Sequence, residues 1–147
     1  MPPNAAYPIH LLERYRDLID DWPAFAAAMA EPMPACVWAN PSRIDPAGLA
    51  ALLGEDGLDP RPLPWRPGAF RLAREPVAGR RWWYCAGLAH AQEGASQVPV
   101  ALLDPRPGDR VLDLCAAPGG KTAQIAFALR NRGTLIANDQ SHSRVRA

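Results

Sequence analysis

The run from Arg110 through Asp113, Cys115 and Pro118 to Thr122 (RVLDLCAAPGGKT) reads as a buried strand, a tight turn of small residues and the start of a helix. Val111, Leu112 and Leu114 are strand formers, and the short side chains from Ala116 to Gly120 let the main chain come close to a ligand. Gly119 and Gly120 open the helix, whose unbonded amides and positive dipole end would face that ligand. Nineteen residues past Gly120, the apolar strand Thr134 to Asn138 ends in Asp139. A βαβ unit places an acid there for the two hydroxyls of an adenosine ribose.

Three ligand classes compete for such a loop. A phosphate-binding P-loop needs Gly-x-x-x-x-Gly-Lys-Ser/Thr; Gly120, Lys121 and Thr122 fit, but Cys115 stands where the first glycine belongs. The dinucleotide fingerprint Gly-x-Gly-x-x-Gly fails further, since Gly119 and Gly120 are adjacent and no third glycine follows. S-adenosylmethionine has no phosphate, and for it a glycine pair and a ribose-binding acid are enough. A P-loop nucleotide-binding fragment stays as an alternative on the Gly-Lys-Thr triplet alone.

The string from Asp113 to Thr122 closely resembles the first motif of the Sun/Fmu-type (RsmB/RsmF-like) RNA cytosine-5 methyltransferases. Gln92-Glu93 with Ser96 resembles the Gln-Glu-x-x-Ser segment that precedes that motif. Met33-Pro34 with Asn40 and Arg43 resembles the family's Pro…Arg-x-Asn-x-x-Lys/Arg stretch, and Pro64-Trp65 with Gly68 and Phe70 a segment of its RsmF-like branch. Where the family usually has Arg two residues before the Asn, this chain has Trp38.

The resemblance implies S-adenosylmethionine as cofactor, ribosomal or transfer RNA as partner, and methylation of cytosine at carbon 5. On that reading Cys115, Ala116, Ala117, Pro118, Gly119, Gly120, Lys121, Asp139 and Arg144 form the cofactor site. Ala116 to Gly120 would supply amides to the methionine end, Lys121 would help at or cap the helix start, and Asp139 would hold the ribose. Asp113 is expected to tie the loop down, and Arg144 to come back toward Asp139 from the next helix. Methylation at carbon 5 needs a thiolate that adds to carbon 6. Cys115 is expected to be a small buried residue of the binding loop instead. The family's catalytic cysteines belong to Pro-Cys-Ser and Thr-Cys segments, and this chain of 147 residues has neither, so no catalytic residue is assigned.

Composition adds little electrostatic steering: Lys plus Arg number 16 against 15 Asp plus Glu. Lys121 is the one lysine; arginine suits bidentate phosphate contacts, but GC-rich coding DNA produces the same bias. Cys36, Cys85 and Cys115 form no C-x-x-C array, so neither a disulfide scaffold nor a metal site is expected. No long apolar run or signal peptide is evident, and a cytoplasmic protein with no membrane partner is expected. Oligomeric state is not legible.

Helical spacing joins Leu11, Leu12, Tyr15, Leu18, Ile19 and Trp22, and Asp20-Asp21 before Pro23 predicts the start of a second short helix. A strand is predicted at Cys36 to Asn40, a helix from Asp45 to Leu53 capped by Asp45, a short strand within loop 54–68, a strand at Ala69 to Leu72, and a turn at Pro76 to Gly79. Trp82, Trp83 and Tyr84 beside Arg80 and Arg81 could stack RNA bases, but read better as an aromatic anchor with two solvated arginines. His90, Gln92, Glu93 and Ser96 are predicted on a helix ending near Leu103, with His90 a surface or capping residue and Glu93 the better candidate for touching the cofactor or the loop.

The expected fold is α/β: a small N-terminal α+β domain over residues 1–80, open to RNA contact, then over 81–147 the start of a Rossmann-like class I methyltransferase domain. Two parallel strands cannot cover both faces of a sheet, so the chain is expected to stop mid-domain and to be inactive alone. A non-catalytic RNA-binding fragment is the other alternative.

Overall fold

The computed structural model describes residues 9–73 and 80–145; the turn predicted at Pro76 to Gly79 lies outside them. The chain divides into two units, Met1–Met33 and Pro34–Ala147.

In the first unit the predicted leading helix forms two 3-10 segments, Ile9–Leu11 and Glu13–Leu18. Neither buries a residue, and Leu18 is 77% exposed. A short helix draws most of its stability from a packed apolar face, and Leu11, Tyr15 and Leu18 of this stripe stay exposed. Helix α1 (Trp22–Ala30) follows the predicted signal: Asp21 accepts the Ala24 amide and Pro23 occupies the first turn.

The second unit begins with a four-stranded antiparallel sheet in the order β2-β3-β1-β4, made of β1 (Cys36–Ala39), β2 (Arg61–Pro62), β3 (Ala69–Arg71) and β4 (Ala89–Ala91). Central β1 is buried at every position, and its alternation divides two cores. Val37 and Ala39 join Phe70 with Leu49 and Leu53 of α2 (Pro46–Glu55) and Trp83 of α3 (Trp82–Cys85). Cys36 and Trp38 join Leu63 and Ala69, with Ala123 and Phe127 packed against them. Asp45 caps α2 through the Gly48 amide, as predicted.

β4 pairs with β1, Trp38 opposite His90; the sheet therefore continues past residue 80, where composition suggested a boundary. His90 is on a strand rather than the predicted helix, which begins only at Gly94 as α4 (Gly94–Leu103). Pairing with a fully buried neighbour overrides the weak strand preference of Ala-His-Ala. Trp83 is buried as an anchor, its indole N–H donating to Asp56 Oδ2 at 2.8 Å, and Arg81 pairs with the same carboxylate.

β5 (Arg110–Asp113) and β6 (Thr134–Ala137) then pair in parallel, Leu112 opposite Ile136, joined through α5 (Gly120–Leu129). One side of this pair packs Val111 and Leu135 against Val100, Ile125 and Leu129. On the other, Leu112 and Ile136 are more than half exposed. Helix α5 thus serves two layers, Phe127 toward the first sheet and Ile125 toward the parallel pair. A short helix, α6 (His142–Val145), follows.

Candidate functional site

The loop between β5 and α5 is tied down from both strands. Asp113, ending β5, accepts the Cys115 amide on Oδ1 at 3.2 Å and the Thr122 hydroxyl on Oδ2 at 2.7 Å. The Ala116 amide donates to Asn138 O at 3.0 Å, extending the parallel ladder by one rung into the loop. Asp139 accepts the Ala117 amide on Oδ2 at 3.0 Å and the Ser141 amide on Oδ1 at 2.9 Å. Arg144 comes back from α6 and donates to Ala117 O. The Ala117–Pro118 peptide is cis, and Gly119 takes φ 108°, a region that favours glycine.

These bonds change which amides can meet a ligand. Sequence reading offered Ala116 to Gly120 as donors, but the Ala116 and Ala117 amides are occupied within the loop and Pro118 has none. Donors remain where the helix begins. Gly119 provides no side-chain cap to α5, and the amides at its start have no partner among the described residues, as at an uncapped N-terminus. A Cβ placed on Gly119 meets nothing within 4 Å, whereas one on Gly120 would press on the Gln92 side-chain amide. The loop surface is thus open at Gly119 and backed at Gly120.

The Ser141 amide and the Ala117 amide, and then the Arg144 guanidinium, hold the Asp139 carboxyl below the usual carboxylate range. Each oxygen accepts one amide and keeps acceptor capacity for a further donor. Cys115 corrects the expectation of a small buried residue: it is exposed, because its amide bond to Asp113 turns the chain outward at the strand end. Lys121 is exposed as well. Four partners went unnoticed in sequence: Thr122, Asn138, Ser141 and the Gln92 amide behind Gly120. Asp139-x-Ser141, a local side-chain-to-backbone turn, is the one that carried a readable signal.

His90 also differs from expectation. Its ring stacks on Trp38 at 4.2 Å with 16° between planes and Nε2 is shut off from solvent; burial pushes its pKa down. Among the described residues no group of side chains could hold a metal ion, and no helix is long and apolar enough to cross a membrane.

Residues 100–147 match the family described as 16S rRNA methyltransferase RsmB/F. Over this part, the chain is similar to the RsmB/RsmF-type RNA methyltransferases. Likeness to individual members of the RsmB/RsmF type and its kin runs further. The chain is 37% identical over 136 residues to a tRNA (cytosine(49)-C(5))-methyltransferase of Pyrococcus abyssi, covering 91% of this chain and 43% of that protein. It is 37% identical over 128 residues to the ribosomal RNA small subunit methyltransferase F of Salmonella paratyphi C, covering 83% of this chain and 27% of that protein. The crystal structure of a methyltransferase homolog protein from Pyrococcus horikoshii superposes with TM-score 0.79 at 34% identity, over 97% of this chain and 47% of that one. The chain therefore spans less than half the length of these relatives. Its parallel pair with crossover helix is part of a class I, Rossmann-like methyltransferase fold.

Proposed function

We propose that this chain is the cofactor-binding part of an S-adenosylmethionine-dependent enzyme that methylates cytosine at carbon 5 in ribosomal or transfer RNA. The observation that carries the reading is the meeting of Asp139 with the 114–119 loop across the parallel pair. The residues present fit the cofactor. Gly119 leaves open space above a bare main chain, the amides at the start of α5 suit the carboxylate of its methionine end, and Asp139 keeps acceptors for two ribose hydroxyls. Bound there, S-adenosylmethionine supplies an electrophilic methyl group on a sulfonium.

The chain's own part is to bind and orient. Gly119 and Gly120 face the cofactor, Asp139 holds its sugar, and Arg144 braces the loop through Ala117 O and lends positive charge beside Asp139. Cys115 and Lys121 border the site. Neither cysteine segment that the family uses for addition to the base is present, so the chain alone holds the cofactor without transferring its methyl group. A P-loop reading is less well supported, since the amides that would cradle phosphates at 115–117 are tied to Asp113, Asn138 and Asp139.

Calorimetric titration of the chain with S-adenosylmethionine and, separately, ATP tests this. Binding of the first, weakened by Asp139→Ala, and no binding of ATP is the expected result. ATP binding alone, or unchanged affinity in Asp139→Ala, overturns it; transfer of a labelled methyl to RNA by the chain in isolation overturns its division of labour.

A further inference from the structure

Ten residues along α5 from Gly120, about 15 Å at 1.5 Å rise per residue, a cavity of about 660 Å³ opens between the Trp65–Gly68 turn and the C-terminal parts of α4 and α5. A second, of about 500 Å³, shares Pro41, Phe127 and Arg130 with it, so the two form one cleft with Arg130 at the join.

Its walls combine a flat aromatic surface with positive charge. Trp65 is 48% exposed at the rim. The Arg66 guanidinium lies 5.1 Å over the buried Trp38 ring; its Nε is shut off from solvent with no hydrogen-bond partner, and among the described residues no carboxylate pairs with it. Arg106 is neutralised by Asp104 at 2.7 Å, whereas Arg130 has no acidic partner among the described residues. Two uncompensated guanidiniums call for an anion, and an exposed indole calls for a flat ring. A nucleotide supplies both; an acidic peptide supplies charge without the ring.

We propose that this cleft holds one or two nucleotides of single-stranded RNA, a base stacking on Trp65 and phosphates meeting Arg66 and Arg130. The proposal rests on the reading of RNA as substrate, and adds a contact to nucleotides that lie about 15 Å along α5 from the loop.

Fluorescence anisotropy with a labelled 12-nucleotide single-stranded RNA and the full chain, between 50 and 200 mM salt, tests it. Trp65→Ala should weaken binding about fivefold to a hundredfold and Trp65→Phe much less. Arg130→Gln should flatten the slope of log affinity against log salt by about 0.7, while Arg61→Gln, outside the cleft, should leave it unchanged. Circular dichroism confirms that the variants fold. No RNA binding by the folded chain, wild-type affinity and slope in both cleft variants, or equal capture of a labelled acidic peptide lost in the same variants overturns the proposal. Titration of S-adenosylmethionine into Trp65→Ala separates the two claims: normal cofactor binding with lost RNA binding is expected, and failure of cofactor binding in wild type counts against the proposed function instead.

Discussion

Asp139 Oδ2 accepts the Ala117 N–H at 3.0 Å, so the acid that follows β6 grips the loop that leaves β5. Asp113 holds the same loop from its other end through Cys115 and Thr122. With Arg144 on Ala117 O, the bend is shaped by protein contacts alone, before any ligand arrives. Less ordering then opposes binding.

Replacing Asp139 with Asn leaves one acceptor oxygen where two amides now donate, and removes the attraction to Arg144. The folded carboxyl titrates below its unfolded value of about 3.9 because the Ser141 and Ala117 amides favour the charged form. Its contribution is therefore complete above about pH 4 and is lost as pH falls through the folded value. Urea denaturation from pH 7 to 2 should show wild type more stable than Asp139→Asn by a constant margin down to about pH 4, the margin closing below it. A margin that does not depend on pH removes the carboxylate as its source.

Two glycines should respond in opposite directions to alanine. Gly133 has φ 129°, and a Cβ there would collide with the Asp109 carbonyl oxygen, which accepts the Thr134 amide at the entrance to β6. Gly54 is in α2 with nothing within 4 Å of an added Cβ. Gly133→Ala should cost about 2 kcal/mol or more, and Gly54→Ala should gain about 0.5–1 kcal/mol by restricting the unfolded chain. Denaturation midpoints at constant m-value check both; a neutral Gly133→Ala shows that the turn relaxes.

Features fixed by neighbouring residues were legible in sequence. Asp21 before Pro23 and Asp45 before Pro46 announced their helices because a cap and a proline act within one turn. The strand, glycine pair and acid at 110–139 announced a βαβ unit for the same reason. What depended on distant partners was not legible. Ala89 to Ala91 became a strand because β1 offers it an edge, and the Leu11 to Leu18 stripe gave 3-10 turns that leave Leu11, Tyr15 and Leu18 exposed. In the loop after β5, which amides stay available was not readable. That depends on Asn138 and Asp139 lying opposite the loop, a consequence of register.

His90 should make stability depend on pH near neutrality. Stacked on Trp38 and edge-on to Phe127 at 5.9 Å, with Nε2 shut off from solvent and unpartnered, the ring is held neutral by burial, its pKa lowered. In the unfolded chain it takes a proton near pH 6.5. Its contribution is therefore complete above about pH 6.5 and is lost as pH falls toward the folded value, because the unfolded state binds the proton first. His90→Gln keeps a polar side chain of similar reach but does not titrate. Denaturation at pH 8, 6.5, 5.5 and 4.5 should show wild type losing stability relative to His90→Gln as pH falls. The Trp38 indole, in contact with the ring, should report protonation of the folded ring as a fluorescence change at lower pH than the onset of the stability loss. An identical pH dependence in both proteins assigns the loss to other groups and leaves His90 as packing alone.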